Sequence, residues 1–139
     1  PFYGQGMNCA FEDVRILDEL IDRHGSDWPT IFDSFYKVRK PNADAIADMA
    51  VDNFYEMRDR VADPIFQRKR SLETRLEQTF PDYFSKYSMV TFREDLPYTE
   101  AKRRGEAQDE LLMEICRNDA EPQPEAVIER VRRLTAETN

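Results

Sequence analysis

The sequence predicts a mainly α chain, and three observations carry that expectation. Apolar residues recur at three- and four-residue steps, the spacing of one helix face, along most of the 139 residues. Prolines stand where such runs begin or end, and Asp or Asn often sits beside them, which is helix punctuation. No long segment alternates apolar and polar residues as a half-buried strand does.

The first helix is expected over residues 8–24, where Ala10, Phe11, Val14, Leu17, Leu20 and Ile21 form one stripe and Gly25 follows the end. Pro29 suits a first helical turn, so a second is expected over 28–39 from Ile31, Phe32, Phe35, Tyr36 and Val38, stopped by Pro41. Asn42 then reads as the N-cap of a third helix, whose stripe of Ile46, Ala50, Asn53 and Met57 runs to residue 62. An asparagine in an apolar stripe stands out, because a buried amide must find partners. Asp63 as cap and Pro64 as first residue open a fourth helix, which reaches Thr79 through Ile65, Phe66, Leu72 and Leu76.

Residues 80–97, FPDYFSKYSMVTFREDLP, are rich in aromatics and hold no sustained period, so they read as an irregular, buried connection with MVTF as at most a very short strand. Residues 98–117 return to helix, with a polar first half that contains Gly105. After the acidic, proline-bearing linker NDAEPQPE, AVIERVRRLTAE closes the chain as a short amphipathic helix.

The length fits one domain, with 40% hydrophobic and 35% charged residues. A net charge of -8 and a pI near 4.8 argue against nucleic acid or an anionic membrane as partner, since both require a basic face. The Lys and Arg residues lie mostly in mixed-sign runs such as RKRSLETRLEQ and EAKRRGEAQDE, which read as solvated helix faces. Cys9 and Cys116 show no CxxC or Cys/His spacing, so neither a disulfide framework nor a metal site is expected. With His24 as the only histidine, no histidine-based triad or metal cluster is expected either. No apolar run is long enough to cross a bilayer and no leader precedes Pro1, which makes a cytoplasmic location the expectation.

The segment GQGMN, residues 4–8, has two readings. It is either a turn that starts a helix or a place where glycines let backbone approach a ligand. In the second case the free amides and positive dipole of a helix N-terminus face an electron-rich group. Its context is more specific: PFYGQGMNCAFED fits P-x-x-G-Q-G-x-N-x-x-x-E-D over thirteen consecutive positions.

That pattern resembles the second flavin-contacting motif of the single-component FAD-dependent aromatic hydroxylases. With NFYEMR at 53–58 and YSMVTF at 87–92, it is similar to the branch of that family that hydroxylates L-kynurenine. The resemblance covers residues 1 to about 115. The family's dinucleotide fingerprint and its G-D-x-x-H segment are absent from the chain, so the resemblance implies the helical C-terminal part of a larger α/β flavoprotein, whose N-terminal half is its partner. Two regions are implied, 1–24 as the end of the FAD-binding domain and 25–117 as a helical region contributing to the substrate pocket; residues 118–139, a linker and short terminal helix, lie outside the resemblance.

The implied cofactor is FAD, with NADPH as reductant, and the implied substrate is L-kynurenine. Gly4, Gln5, Gly6, Met7 and Asn8 would contact the flavin. Pro1, Phe2, Gln5, Asn53, Met57 and Tyr87 would surround the substrate, with Asn53 and Tyr87 holding its carboxylate and Gln5 near its ketone. Tyr3 departs from a common phenylalanine. No residue is implied as acid, base, nucleophile or metal ligand, and this chain alone is expected to be inactive. The role of Glu56 stays open. Two alternatives remain: a related hydroxylase of another aromatic acid, and a stand-alone helical interaction module.

Overall fold

The computed structural model describes residues 4–137. Pro1 and Phe2, expected in the pocket, and Tyr3 lie outside the described residues. Among the described residues the chain is helical throughout, with no strand: α1 Gly6–His24, α2 Trp28–Tyr55, a π-helical turn Glu56–Arg60, α3 Pro64–Thr79, α4 Lys86–Phe92, α5 Tyr98–Asn118 and α6 Pro124–Glu137.

Several boundaries follow their local chemistry. α1 ends at Gly25, whose φ of 63° suits glycine alone and whose N–H donates to Ile21 O at 2.7 Å. α3 begins behind Asp63, whose side chain accepts from Ile65 N at 2.8 Å, with Pro64 in the first turn.

Two expectations are corrected. Pro41 does not end a helix, and Asn42 is no N-cap: α2 runs unbroken for 28 residues with Pro41 inside it. A proline in a helix interior costs about 3 kcal/mol locally. Packing on both sides of the proline offsets that cost. Before it, Arg39 is buried against α1; beyond it, Ala45 and Met49 are buried against α4 and α5. The Asn42 side chain donates to Val38 O at 3.0 Å and accepts from Thr99 N at 3.2 Å, which ties α2 to the start of α5.

The second correction concerns MVTF, which lies within α4 rather than in a strand. Ser85 caps this helix, its hydroxyl accepting from Ser88 N at 3.3 Å. Three consecutive residues, Ser88, Met89 and Val90, are buried, so a short helix enclosed on several sides leaves no stripe to read.

One core joins α3, α5 and α6 around Leu72, Leu76, Leu112 and Val127; a second joins α2, α4 and α5 around Met49, Met89 and Ala101. By contrast, Met7, Phe11 and Val14 form an exposed stripe on α1, and Phe32 and Tyr36 another on α2. No helix among the described residues is long and apolar enough to cross a membrane.

Candidate functional site

The start of α1 presents open backbone. Gly4 takes a φ of 67°, and a Cβ built on Gly4 or Gly6 would meet nothing within 4 Å. Helix geometry leaves the amides of Gly6, Met7 and Asn8 without an intrahelical acceptor, and no side chain caps them. The first closed bond is Cys9 N to Gln5 O at 2.9 Å.

Gln5 itself is buried. Its Oε1 accepts from Asn8 Nδ2 at 2.6 Å, and its Nε2 lies 3.5 Å from Thr91 Oγ1 on α4. Asn8 is thus tied to Gln5. The two share a recess of about 470 Å³ with Glu12, Thr91 and Tyr98.

Asn53, Met57 and Tyr87 line a different cavity, of about 250 Å³, and Gln5 is not part of its lining. Asn53 is half-buried near the end of α2, with Nδ2 at 3.9 Å from Met57 Sδ across the junction between α2 and the π-helical turn. Tyr87 reaches the cavity from the first turn of α4. Tyr87 and Thr91 lie one turn apart on α4, so this short helix connects the Gln5 recess with the Asn53 cavity.

The wall of the cavity is charged, which the sequence did not disclose. Lys86 Nζ lies 2.7 Å from Asp109 Oδ2 and 3.6 Å from Glu56 Oε1. Lys69 pairs with Asp109 and, at 3.1 Å, with Glu73, while Arg70 reaches Glu73 at 3.5 Å from the exposed side. Lys69 and Glu73 are only 3% and 4% exposed, so the runs that contain them are not wholly solvated faces. The K-x-x-x-E spacing of Lys69 and Glu73 was visible as a helical pair, but nothing local announced Asp109 as their shared partner.

Burial acts to raise the Asp109 carboxyl, yet Lys69 and Lys86 together hold it below its ordinary value. At Glu73 burial wins and the value rises, with Lys69 opposing. Burial likewise raises the Tyr83 phenol, with the nearby Glu73 and Asp109 adding to the effect. Its hydroxyl therefore stays protonated.

The Glu-Asp pair of the flavin-motif pattern has structural partners. Glu12 Oε1 accepts from the Tyr98 hydroxyl at 3.1 Å, and both acids face Arg39.

No family model matches the chain. Curated proteins do. The chain is similar to the kynurenine 3-monooxygenase of Myxococcus xanthus, 47% identical over 116 residues, which are 83% of this chain and 25% of that protein. The enzyme of the same name from Cytophaga hutchinsonii is 50% identical over 117 residues, covering 83% and 26%. The chain belongs to the kynurenine 3-monooxygenase family. A eukaryotic kynurenine 3-monooxygenase, from Candida albicans, is 41% identical over 116 residues, with 83% and 25% covered. The chain spans about a quarter of the length of these kynurenine 3-monooxygenases and corresponds to a C-terminal part of them. Its helical build accords with such a part of a larger enzyme.

Proposed function

We propose that the complete protein hydroxylates L-kynurenine to 3-hydroxykynurenine with NADPH and O2, and that this chain supplies one edge of its flavin site and one wall of its substrate pocket. The observation that carries the reading is the cavity shared by Asn53, Met57 and Tyr87, one helical turn along α4 from the contact between Gln5 and Thr91. Membership of a family whose curated relatives bear this activity in their names supports it.

The residues at the start of α1 fit a flavin. Gly4 and Gly6 leave space for a flat ring, and the uncapped amides of Gly6, Met7 and Asn8 suit its carbonyl edge. The positive end of the helix dipole favours a negatively charged ring there. FAD would supply the redox chemistry with O2, reduced at the expense of NADPH. Every remaining task is one of positioning. Asn53 and Tyr87 would donate to the substrate's carboxylate, and Met57 would give the aromatic ring an apolar neighbour. Gln5, anchored on Thr91 and Asn8, would hold the flavin loop against the wall that carries Tyr87. Pro1 and Phe2 would extend that loop over the ring and substrate. Residues 1–24 would then end the flavin domain, and 25–117 would form the substrate side.

The test is kynurenine-stimulated NADPH oxidation by the complete enzyme, with 3-hydroxykynurenine measured as product. Consumption of NADPH without that product would refute the substrate assignment. Turnover of another aromatic acid in place of kynurenine would move the protein to the wider hydroxylase family.

A further inference from the structure

Lys86 occupies a place that the fold has shaped around it. A Cβ on Gly105 of α5 would lie 2.4 Å from Lys86 Cγ, 2.6 Å from its Cβ and 2.9 Å from its Cδ. Only glycine lets the lysine stem rest on the α5 backbone at this point, although a glycine inside a helix costs about 1 kcal/mol against alanine. One turn further along α5, on the same face, stands Asp109, which receives the ammonium at 2.7 Å. The same ammonium lies 3.6 Å from Glu56, the first residue of the π-helical turn. These three side chains are at most 18% exposed.

Two links run from this clamp to the proposed substrate groups. The Glu56 amide donates to the carbonyl of Asn53, so fixing the Glu56 side chain fixes the turn that aims Asn53 and Met57. Lys86 is also the first residue of α4 and precedes Tyr87 directly. A π-helical turn is a wide, locally costly geometry that persists when its surroundings impose it.

We propose that Lys86, seated on Gly105 and held between Asp109 and Glu56, is a positioning residue that keeps the Asn53–Met57 turn and Tyr87 in one arrangement for the amino-acid end of the substrate. This role rests on the functional reading above, because it assigns a purpose to the same cavity. Lys86 touches neither the reacting ring nor the cofactor in this scheme. It acts through its neighbours.

The experiment uses the complete flavoenzyme and two variants. Lys86→Met keeps the stem over Gly105 and removes the ammonium. The expected result is a KM for kynurenine raised about tenfold, with kcat and bound flavin changed less than about twofold. Lys86→Arg shares the stem carbons that touch Gly105 and restores a cation, so its KM should return to within about threefold of the parent. Amide hydrogen exchange gives a readout that needs no substrate: in Lys86→Met the amides of residues 56–60 should exchange about tenfold faster, while those of α6 keep their rates. Unaltered exchange at 56–60 overturns the proposal whatever happens to turnover. If the parent enzyme does not act on kynurenine, the functional reading fails and the exchange result alone decides the role of Lys86.

Discussion

Arg39 Nε donates to Asp13 Oδ1 at 2.5 Å, which bolts α2 to the motif helix. Arg39 is 5% exposed, and its Nη1 also reaches Glu12 Oε2 at 3.0 Å. The acids that complete the thirteen-residue pattern therefore set the direction of α1, and with it the direction of its free amides.

Loss of this contact should be felt in stability first. Arg39→Met leaves Glu12 and Asp13 without their cation, but both carboxylates are about 40% exposed and water compensates in part. The expected cost is about 2 kcal/mol, read as a lower urea midpoint at unchanged slope. A shift within error would show that α1 is held by its apolar contacts alone.

The cavity residues should separate binding from folding. Asn53→Ala and Tyr87→Phe each remove one donor to the substrate carboxylate, so KM for kynurenine should rise about tenfold in each. Flavin content, read from its absorbance, should stay at the parent level. Unchanged kinetics in both variants would remove these two residues from the pocket.

The flavin loop predicts the converse. Gly4 sits at a φ of 67° with open space around it, so Gly4→Ala meets no neighbour and bears only backbone strain of about 1 kcal/mol. The loop should relax away from that conformation and weaken flavin binding several-fold, measured by fluorescence titration of the complete apoenzyme. Stability without flavin should change little.

Acid should act on the charged wall with a definite sign. The folded value of Asp109 lies below its ordinary 3.8, so its contribution is complete above that value and is lost as pH falls through the folded value. Glu100, gripped by Arg103 and Arg104, is lowered from 4.5 to about 2 and behaves in the same way. Glu73 runs in the opposite sense: its raised value means a contribution present below 4.5 and lost as pH rises through the folded value. Asp109→Asn should therefore flatten the acid limb of stability below the ordinary carboxylate value of 3.8, followed by thermal unfolding as the pH is lowered. An acid limb identical to the parent's would show that Asp109 carries no such linkage.

The sequence disclosed most where local chemistry decides structure. The caps Asp63 and Gly25, and the apolar periods of α1 and α3, located those helices to within a residue or two. It misled where distant packing decides. Pro41 carries a strong local stop signal that contacts with α1, α4 and α5 override, and α4 lacks a stripe because its neighbours enclose it. The site divides along the same line. Asn53 was conspicuous because an amide in an apolar stripe demands a reason, and Gly4 and Gly6 because glycines side by side with a helix start do. Lys86 and Asp109 were invisible: Lys86 sits in the aromatic connection and Asp109 in a run of mixed charge, and only the fold brings them within 2.7 Å.

The unbroken course of α2 through Pro41 has a geometric corollary. Arg39, which fixes the motif helix, and Asn53, which faces the cavity, are indexed on one rod about 21 Å apart. A single residue inserted between them would advance Asn53 by about 1.5 Å and swing it by about 100° around the axis. The spacing from Arg39 to Asn53 thus acts as a ruler, and substitutions along it should be tolerated where a change in its length is not.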